Sequence, residues 1–451
     1  VSWDPATFNV DTSTNEARAS IQNVAAQNGP ASLRHHGMIS TQMTRSMDHA
    51  DLFGESLTVA RTLIAATVVL LMIVAARATE PLEFKIGYLR TEKPRVAISL
   101  VQVPAENNGV AGAQAAINDN NTTGKFLDQH FTLDEVKLKD GEDPAAAAGA
   151  LADRGASIVL AELPADALLR AADAGRARGQ VFLNVGAPDE RLRESDCRAN
   201  VIHTAPSRAM LADALAQYLV WKQWRRWFLV VGSHEPDKLY ADALRHAATR
   251  FGAKIVGEKV FEDTGGSRRS DTGVVQVQRQ IPVFTQQLPA YDVLVAADES
   301  EVFAGYLPYR TWDPRPVAGS AGLVPKSWDA SNDQWGATQM QDRFIREFKR
   351  PMTALDMQAW TAVRMIGDSA AHKRVNDPKA LLDYMKSPDF ALAAFKGQKL
   401  TLRDWNLQLR QPILLTDGRT IISVSPQEGF LHQFSELDTL GYDRSESKCK
   451  L

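Results

Sequence analysis

Apolar and polar positions alternate with one period and then another in a recurring order along this chain. Leu82–Leu89 (LEFKIGYL) mixes apolar and β-forming residues and predicts a strand. Gly112–Asn118 (GAQAAIN) predicts the start of a small-residue helix able to pack closely on a sheet. Phe131–Leu138 alternates as a strand. Pro144–Arg154 (PAAAAGALADR) is helical, with Asp143 as cap and Pro144 in the first turn. Strand Ser157–Leu160, helix Ala165–Ala177 and strand Val181–Val185 follow. Such β-α-β-α-β alternation predicts a parallel sheet with helices on both faces.

The pattern then restarts. After Val201–Ser207 come a helix from Arg208 to about Gln223, strand Trp227–Val231, helix Leu239–Arg250 and strand Lys254–Val260. Strand Asp292–Ala296, a helix near Glu301–Tyr309 and strand Pro316–Ser320 complete a second doubly wound unit. Asp263–Gln287 has charge, Gly and Gln without a period and reads as an irregular excursion. Ala354–Ala371 is a long amphipathic helix, and strands near Pro412–Leu415 and Thr420–Ser425 flank an Asp417-Gly418 turn.

One run breaks this picture. Thr62–Ala76 is apolar between Arg61 and Arg77, yet shorter than the about 20 residues of a membrane-spanning helix. It reads as the core of a secretory signal over residues 62–78, with Ala76-Arg77-Ala78 as the cleavage site. Residues 1–61 are polar and without apolar periodicity, and read as a disordered or non-native extension, with the true start at Met38, Met43 or Met47 and what lies upstream of it not made. Export to an oxidising compartment would follow.

The 451 residues carry 51 basic and 54 acidic side chains, for a net charge of −3, which excludes a generally basic nucleic-acid binder. Cys197 and Cys449 are too few for a disulfide scaffold or a thiolate metal site, although they can form one bridge. No G-x-G-x-x-G follows the first strand and no P-loop is present. Ala318-Gly-Ser-Ala-Gly322 misses the nucleophile elbow by its first residue and reads as a strand-end turn. His130, His203, His234, His246, His372 and His432 stand singly, without metal-ligand spacing. Nothing assembles a catalytic set, so the expectation is a binder and not an enzyme.

Binding needs less. In open α/β sheets a ligand lies beyond the carboxyl ends of the strands. That rule selects Arg90 and Thr91, Glu162, Gly186, His234, Asp298 and the Ser320–Leu323 turn. Between two such units these positions face one another across a cleft that hinge closure can bury.

The order of elements resembles the periplasmic binding proteins of the leucine/isoleucine/valine type, with Thr204-Ala-Pro-Ser207 as the crossover into the second lobe. More narrowly, the chain is similar to the binding proteins associated with PQQ-dependent alcohol dehydrogenase systems. The runs that carry this are Asp119-Asn-Asn-Thr-Thr-Gly124, Trp312–Ser320, Leu407-Gln-Leu-Arg-Gln-Pro412 and Leu437-Asp-Thr-Leu-Gly441 to Cys449. Asn406 departs from the Trp-Asp pair expected beside Trp405. The resemblance implies a type I periplasmic binding protein: two doubly wound, Rossmann-like lobes joined by three hinge crossings, near 204, 340 and 408. Lobe one would be 82–203 plus 340–408, and lobe two 204–339 plus 409–451. It implies a small anionic ligand and an inner-membrane ABC permease as partner.

The narrower resemblance implies pyrroloquinoline quinone as ligand, not as a catalytic cofactor, and a PQQ-dependent dehydrogenase as possible partner. A flat tricarboxylate would use aromatic faces and guanidinium forks. Trp328, Trp360 and Trp405 are candidates for the faces, with Trp312 beside them. Arg90, Arg208, Arg403 and Arg410 are candidates for the forks, with an interlobe or surface salt bridge as the alternative for Arg90 and Arg208. Arg268-Arg269 reads as a solvated loop. An amino-acid ligand is the competing reading, kept open by Glu162 and Asp298 as partners for an ammonium. An accessory subunit or enzyme of a quinoprotein system is the reading from another class. Cys197 and Cys449 are expected to tie the C-terminal tail to the first lobe.

Overall fold

The computed structural model describes residues 81–92, 104–263 and 277–451. The chain divides into Val1–Ala78 and Thr79–Leu451, and all described residues belong to the second unit. The signal-like run and Arg268-Arg269 lie outside the described residues.

Two parallel sheets organise Thr79–Leu451. The first contains β1 (Leu82–Thr91), β2 (Gln129–Leu138), β3 (Ile158–Glu162), β4 (Val181–Asn184) and β5 (Val201–His203), in the order β2-β1-β3-β4-β5. The second contains β6 (Arg226–Gly232), β7 (Lys254–Phe261), β8 (Val293–Ala297) and β9 (Val317–Gly319), in the order β7-β6-β8-β9. Each sheet therefore reverses its strand order once, between β1 and β3 and between β6 and β8. The fold class expected from the alternation is the one observed.

Period-two alternation sends successive strand residues to opposite faces, and both faces are covered. Phe84, Ile86, Tyr88, Leu160 and Leu183 pack under helices α1 (Val110–Gly124) and Ala354–Lys373, whereas Leu89, Val159, Ala161 and Phe182 pack under Pro144–Asp153 and Ala165–Arg176. In the second sheet Trp227, Leu229, Val231, Val293 and Val295 face Arg208–Trp221 and Glu235–Phe251; Phe228, Val230, Leu294 and Ala296 face Ile281, Phe303 and Leu307. The small-residue character of α1 has a geometric cause: a Cβ on Gly112 would sit 1.9 Å from the Asp356 carbonyl oxygen. Only glycine lets these helices touch backbone to backbone.

The chain passes between the sheets three times: from His203 to Arg208, from Lys326 to Ala337, and from Leu402 to Ile413. A small sheet of β10 (Val324–Lys326), β11 (Ile413–Thr416) and β12 (Ile421–Ser425) adds to the second lobe, its Ile413 and Leu415 joining that core. Trp328 and Ala337, assigned to lobe two by the sequence reading, pack in the core of the first sheet.

Several elements differ from expectation. The irregular excursion contains a helix, Val277–Phe284, despite Pro282. The helix expected over Glu301–Tyr309 is a short 3₁₀ turn (Ala304–Tyr306) and one helical turn (Leu307–Arg310). Helices Ala337–Phe348 and Pro378–Met385 add to the reading. No helix among the described residues is long and apolar enough to cross a membrane.

Candidate functional site

Strand-order reversal leaves a crevice at the carboxyl ends of the two strands that flank it. In the first sheet those ends are Arg90 and Glu162, which are paired across β1 and β3. Tyr88, two residues earlier on the buried face, donates its hydroxyl to Glu162 Oε2 at 3.0 Å. Both side chains are buried. Burial first, and then the Glu162 charge, pushes the Tyr88 phenol well above 10.0. The N-terminus of α1 reaches this pair through Gly109, where φ is 80° and a Cβ would lie 2.3 Å from the Tyr88 hydroxyl and 3.2 Å from Glu162 Oε2. Any side chain there would push the helix end away. The Gly109 N–H donates to Asp356 Oδ1 at 2.8 Å, and Arg350 holds Asp356 through Nη1 at 2.5 Å and Nη2 at 3.0 Å. Gly186 closes the other side, where a Cβ would be 3.3 Å from Glu162 Cγ.

The corresponding place in the second sheet is built otherwise. Asp298, just past β8, accepts the backbone N–H groups of Val302, Phe303 and Ala304 at 2.9, 2.7 and 2.7 Å. Its own N–H donates to Ser320 Oγ at 2.8 Å. Asp298 and Ser320 thus shape the turn that follows β8. His234 precedes helix Glu235–Phe251, is largely solvent-facing, and pairs through Nε2 with Asp263 at 2.8 Å.

The four candidate guanidinium forks are all engaged. Arg90 Nε donates to Glu135 at 2.7 Å and Nη1 to the Glu106 carbonyl at 3.0 Å. Arg208 grips Glu299 through Nε at 3.0 Å and Nη2 at 2.8 Å, with Asp189 at 3.5 Å, so it bridges the lobes. Arg403 and Arg410 share Asp438, at 2.9 and 2.8 Å. Arg403 also donates to the Leu437 and Leu440 carbonyls, at 3.0 and 2.6 Å.

The tryptophans divide similarly. Trp328 and Trp360 are buried in the first core, and Trp360 Nε1 donates to Asp119 at 2.9 Å. Trp405 is enclosed by Arg403, Arg410 and Arg444, whose guanidinium carbons lie 5.3, 5.3 and 5.2 Å from its ring centre. Trp312 is exposed on the second lobe.

The structure therefore brings Arg90, Thr91 and Glu162 together at one sheet edge, Asp298 and Ser320 at the other, and Arg403, Trp405 and Arg410 around the C-terminal tail. Trp328 and Trp360 join none of these groups. Sequence reasoning missed Tyr88, Gly109 and Asp356. Tyr88 alone carried a signal: a tyrosine in the buried register of a strand needs a partner for its hydroxyl. Among the described residues, no three His, Cys, Asp or Glu side chains converge to hold a metal ion. Cys197 and Cys449 form a disulfide, with Cα atoms 5.7 Å apart.

A family model described as periplasmic binding protein matches residues 99–271. No curated protein matches the chain. Among solved structures, the chain is similar to a branched-chain amino acid ABC transporter periplasmic ligand-binding protein from Burkholderia xenovorans, at TM-score 0.63 and 16% identity over 81% of this chain and 99% of that one. A periplasmic binding protein from Burkholderia mallei gives TM-score 0.60 and 15% identity, over 81% and 98%. An ABC transporter solute binding protein from R. palustris, in complex with benzoate, gives 0.58 and 11%, over 82% and 100%. At these identities the likeness is one of fold, and the fold is the two-lobed α/β architecture of type I periplasmic binding proteins.

Proposed function

We propose that this chain is the substrate-binding component of an ABC-type import system, working in the periplasm with a membrane permease, and that its ligand is an amino acid or a close relative. Its role is binding, not catalysis. The reading rests on one observation above others. The buried carboxylate of Glu162 ends a strand at the reversal of the first sheet, against the N-terminus of α1, while every candidate arginine is paired with a protein carboxylate.

An amino acid presents an ammonium and a carboxylate a few ångströms apart. The ammonium is matched by Glu162, at the crevice of the first sheet. A tricarboxylate such as pyrroloquinoline quinone needs several guanidinium groups, and taking Arg403 and Arg410 from Asp438 would leave a buried carboxylate unpaired. The structural neighbours, which include a branched-chain amino acid transporter component and a benzoate complex, favour a ligand with one carboxylate.

Isothermal titration and thermal shift with branched-chain, aromatic and acidic amino acids, benzoate and pyrroloquinoline quinone test this reading. Binding by one amino-acid class is the expected result. Binding of the quinone with silence from every amino acid would reverse it.

A further inference from the structure

The three crossings are not the only connections between the lobes. The C-terminal tail seats Leu440 in the core of the second lobe. Next to it, the Gly441 N–H donates to Asp213 Oδ2 at 2.8 Å, and Arg250 Nη1 donates to the Gly441 carbonyl at 2.6 Å. Eight residues later the chain is fixed to the other lobe. The Lys448 N–H donates to Glu194 Oε2 at 2.5 Å, Ser447 Oγ donates to Glu194 Oε1 at 3.3 Å, and Cys449 is bonded to Cys197. Glu194 and Cys197 lie between β4 and β5 of the first sheet, next to Leu192, which is buried in that sheet's core.

We infer that Gly441–Cys449 is a fourth interlobe connection, a covalent strap that limits how far the lobes separate. The segment between its anchors is not extended. The Glu446 and Ser447 N–H groups both donate to the Asp443 carbonyl at 3.0 Å, and the Asp443 N–H donates to Glu446 Oε2 at 2.9 Å, closing a turn. Eight extended residues would span about 26–29 Å, so this turn holds reserve length. Small opening motions stretch the turn, and larger ones meet the disulfide.

The first and third crossings are tied to each other by hydrogen bonds: the Gln411 amide donates to the Thr204 carbonyl at 2.7 Å and the Gln408 amide to the His203 carbonyl at 3.1 Å. These can yield one at a time. Like the peptide of each crossing, the strap cannot part without bond cleavage, so it adds a fourth covalent limit to opening. Arg403 and Arg410 hold Asp438 just before the strap and keep its second-lobe root beside the third crossing.

The test needs no ligand, so its outcome is separate from that of the proposed function. Small-angle scattering and amide hydrogen exchange are recorded on the oxidised full chain, on the same chain after native-state reduction, and on a C197S/C449S variant. A chain ending at Asp443 distinguishes a widened hinge from a swinging tail. With the link cut, the radius of gyration and maximum dimension should rise in all three altered forms. Exchange over 442–448 should quicken about tenfold in the two full-length ones. Unchanged scattering overturns the inference. So does loss of far-UV circular dichroism in both the reduced chain and the variant, which would make the bond a staple for folding and not a limit on opening.

Discussion

Glu162 and Asp298 hold the same station in two sheets of the same winding, and their neighbours treat them differently. After β8 the chain turns back on itself, and three of its N–H groups take both oxygens of Asp298. After β3 the chain runs through Leu163 and Pro164 directly into helix Ala165–Arg176. Pro164 has no N–H to donate, so this segment cannot return to its own acid in the same way. Glu162 is met by a side chain from the next strand, the Tyr88 hydroxyl. An acid at a strand end is a structural cap where the following turn claims it. Glu162 is the candidate ligand group by its place, at the strand-order reversal and beside the N-terminus of α1.

The sharpest way to break this contrast is Asp298→Ala. Leaving three buried N–H groups without an acceptor should cost about 3 kcal/mol, read as a lower urea midpoint at constant slope. A loss below about 1 kcal/mol would remove the distinction between the two acids.

Glu162→Gln comes next. The amide keeps the shape and removes the charge, so amino-acid affinity should fall ten- to a hundredfold, about 1.4–3 kcal/mol, with little change in unfolding. Equal affinity by titration calorimetry would move the site elsewhere.

Tyr88→Phe should cost about 1 kcal/mol and alter the alkaline limb of stability. The folded phenol holds its proton well above 10.0, so folded chains bind more protons than unfolded ones past that pH. Stability from this group is complete below pH 10 and declines as pH rises beyond it. The Phe variant should show a shallower alkaline decline in pH-dependent denaturation. His234→Ala should do least, under about 0.5 kcal/mol in stability, because its pair with Asp263 is largely solvent-facing.

Much of the fold was legible because parallel sheets write themselves as apolar runs separated by helices, and Asp143-Pro144 announced its helix. Val277–Phe284 was hidden by Pro282 and glutamines, which weaken a helical period. Ala337–Phe348 carried its signal in Met340 and Phe344, four apart, and was passed over. At the site, the strand-end rule reached Glu162 and Asp298 but could not separate them, since the difference lies in Val302–Ala304 folding back. Nor could it see that Arg208 meets Glu299 and Asp189, or that Arg403 meets Asp438. Such pairs depend on which loops approach in space, and periodicity does not record it. Cys197 and Cys449 were legible for a simpler reason: each had only the other as a partner.

Gly109 and Asp356 touch although they stand 247 positions apart, and this contact dictates an order of manufacture. As the chain is synthesised, β1 to β5 and α1 emerge first, but one face of their sheet has only α1 over it until Ala354–Lys373 appears. The second sheet, Arg226 to Gly319, is complete before then. At about 5–20 residues per second the stretch from His203 to Ala354 takes roughly 8–30 s, during which Phe84, Ile86 and Leu160 have only part of their cover. The lobe that begins the chain is thus the last to mature. A nascent chain stalled before Ala354 should bind hydrophobic-surface chaperones through its N-terminal half.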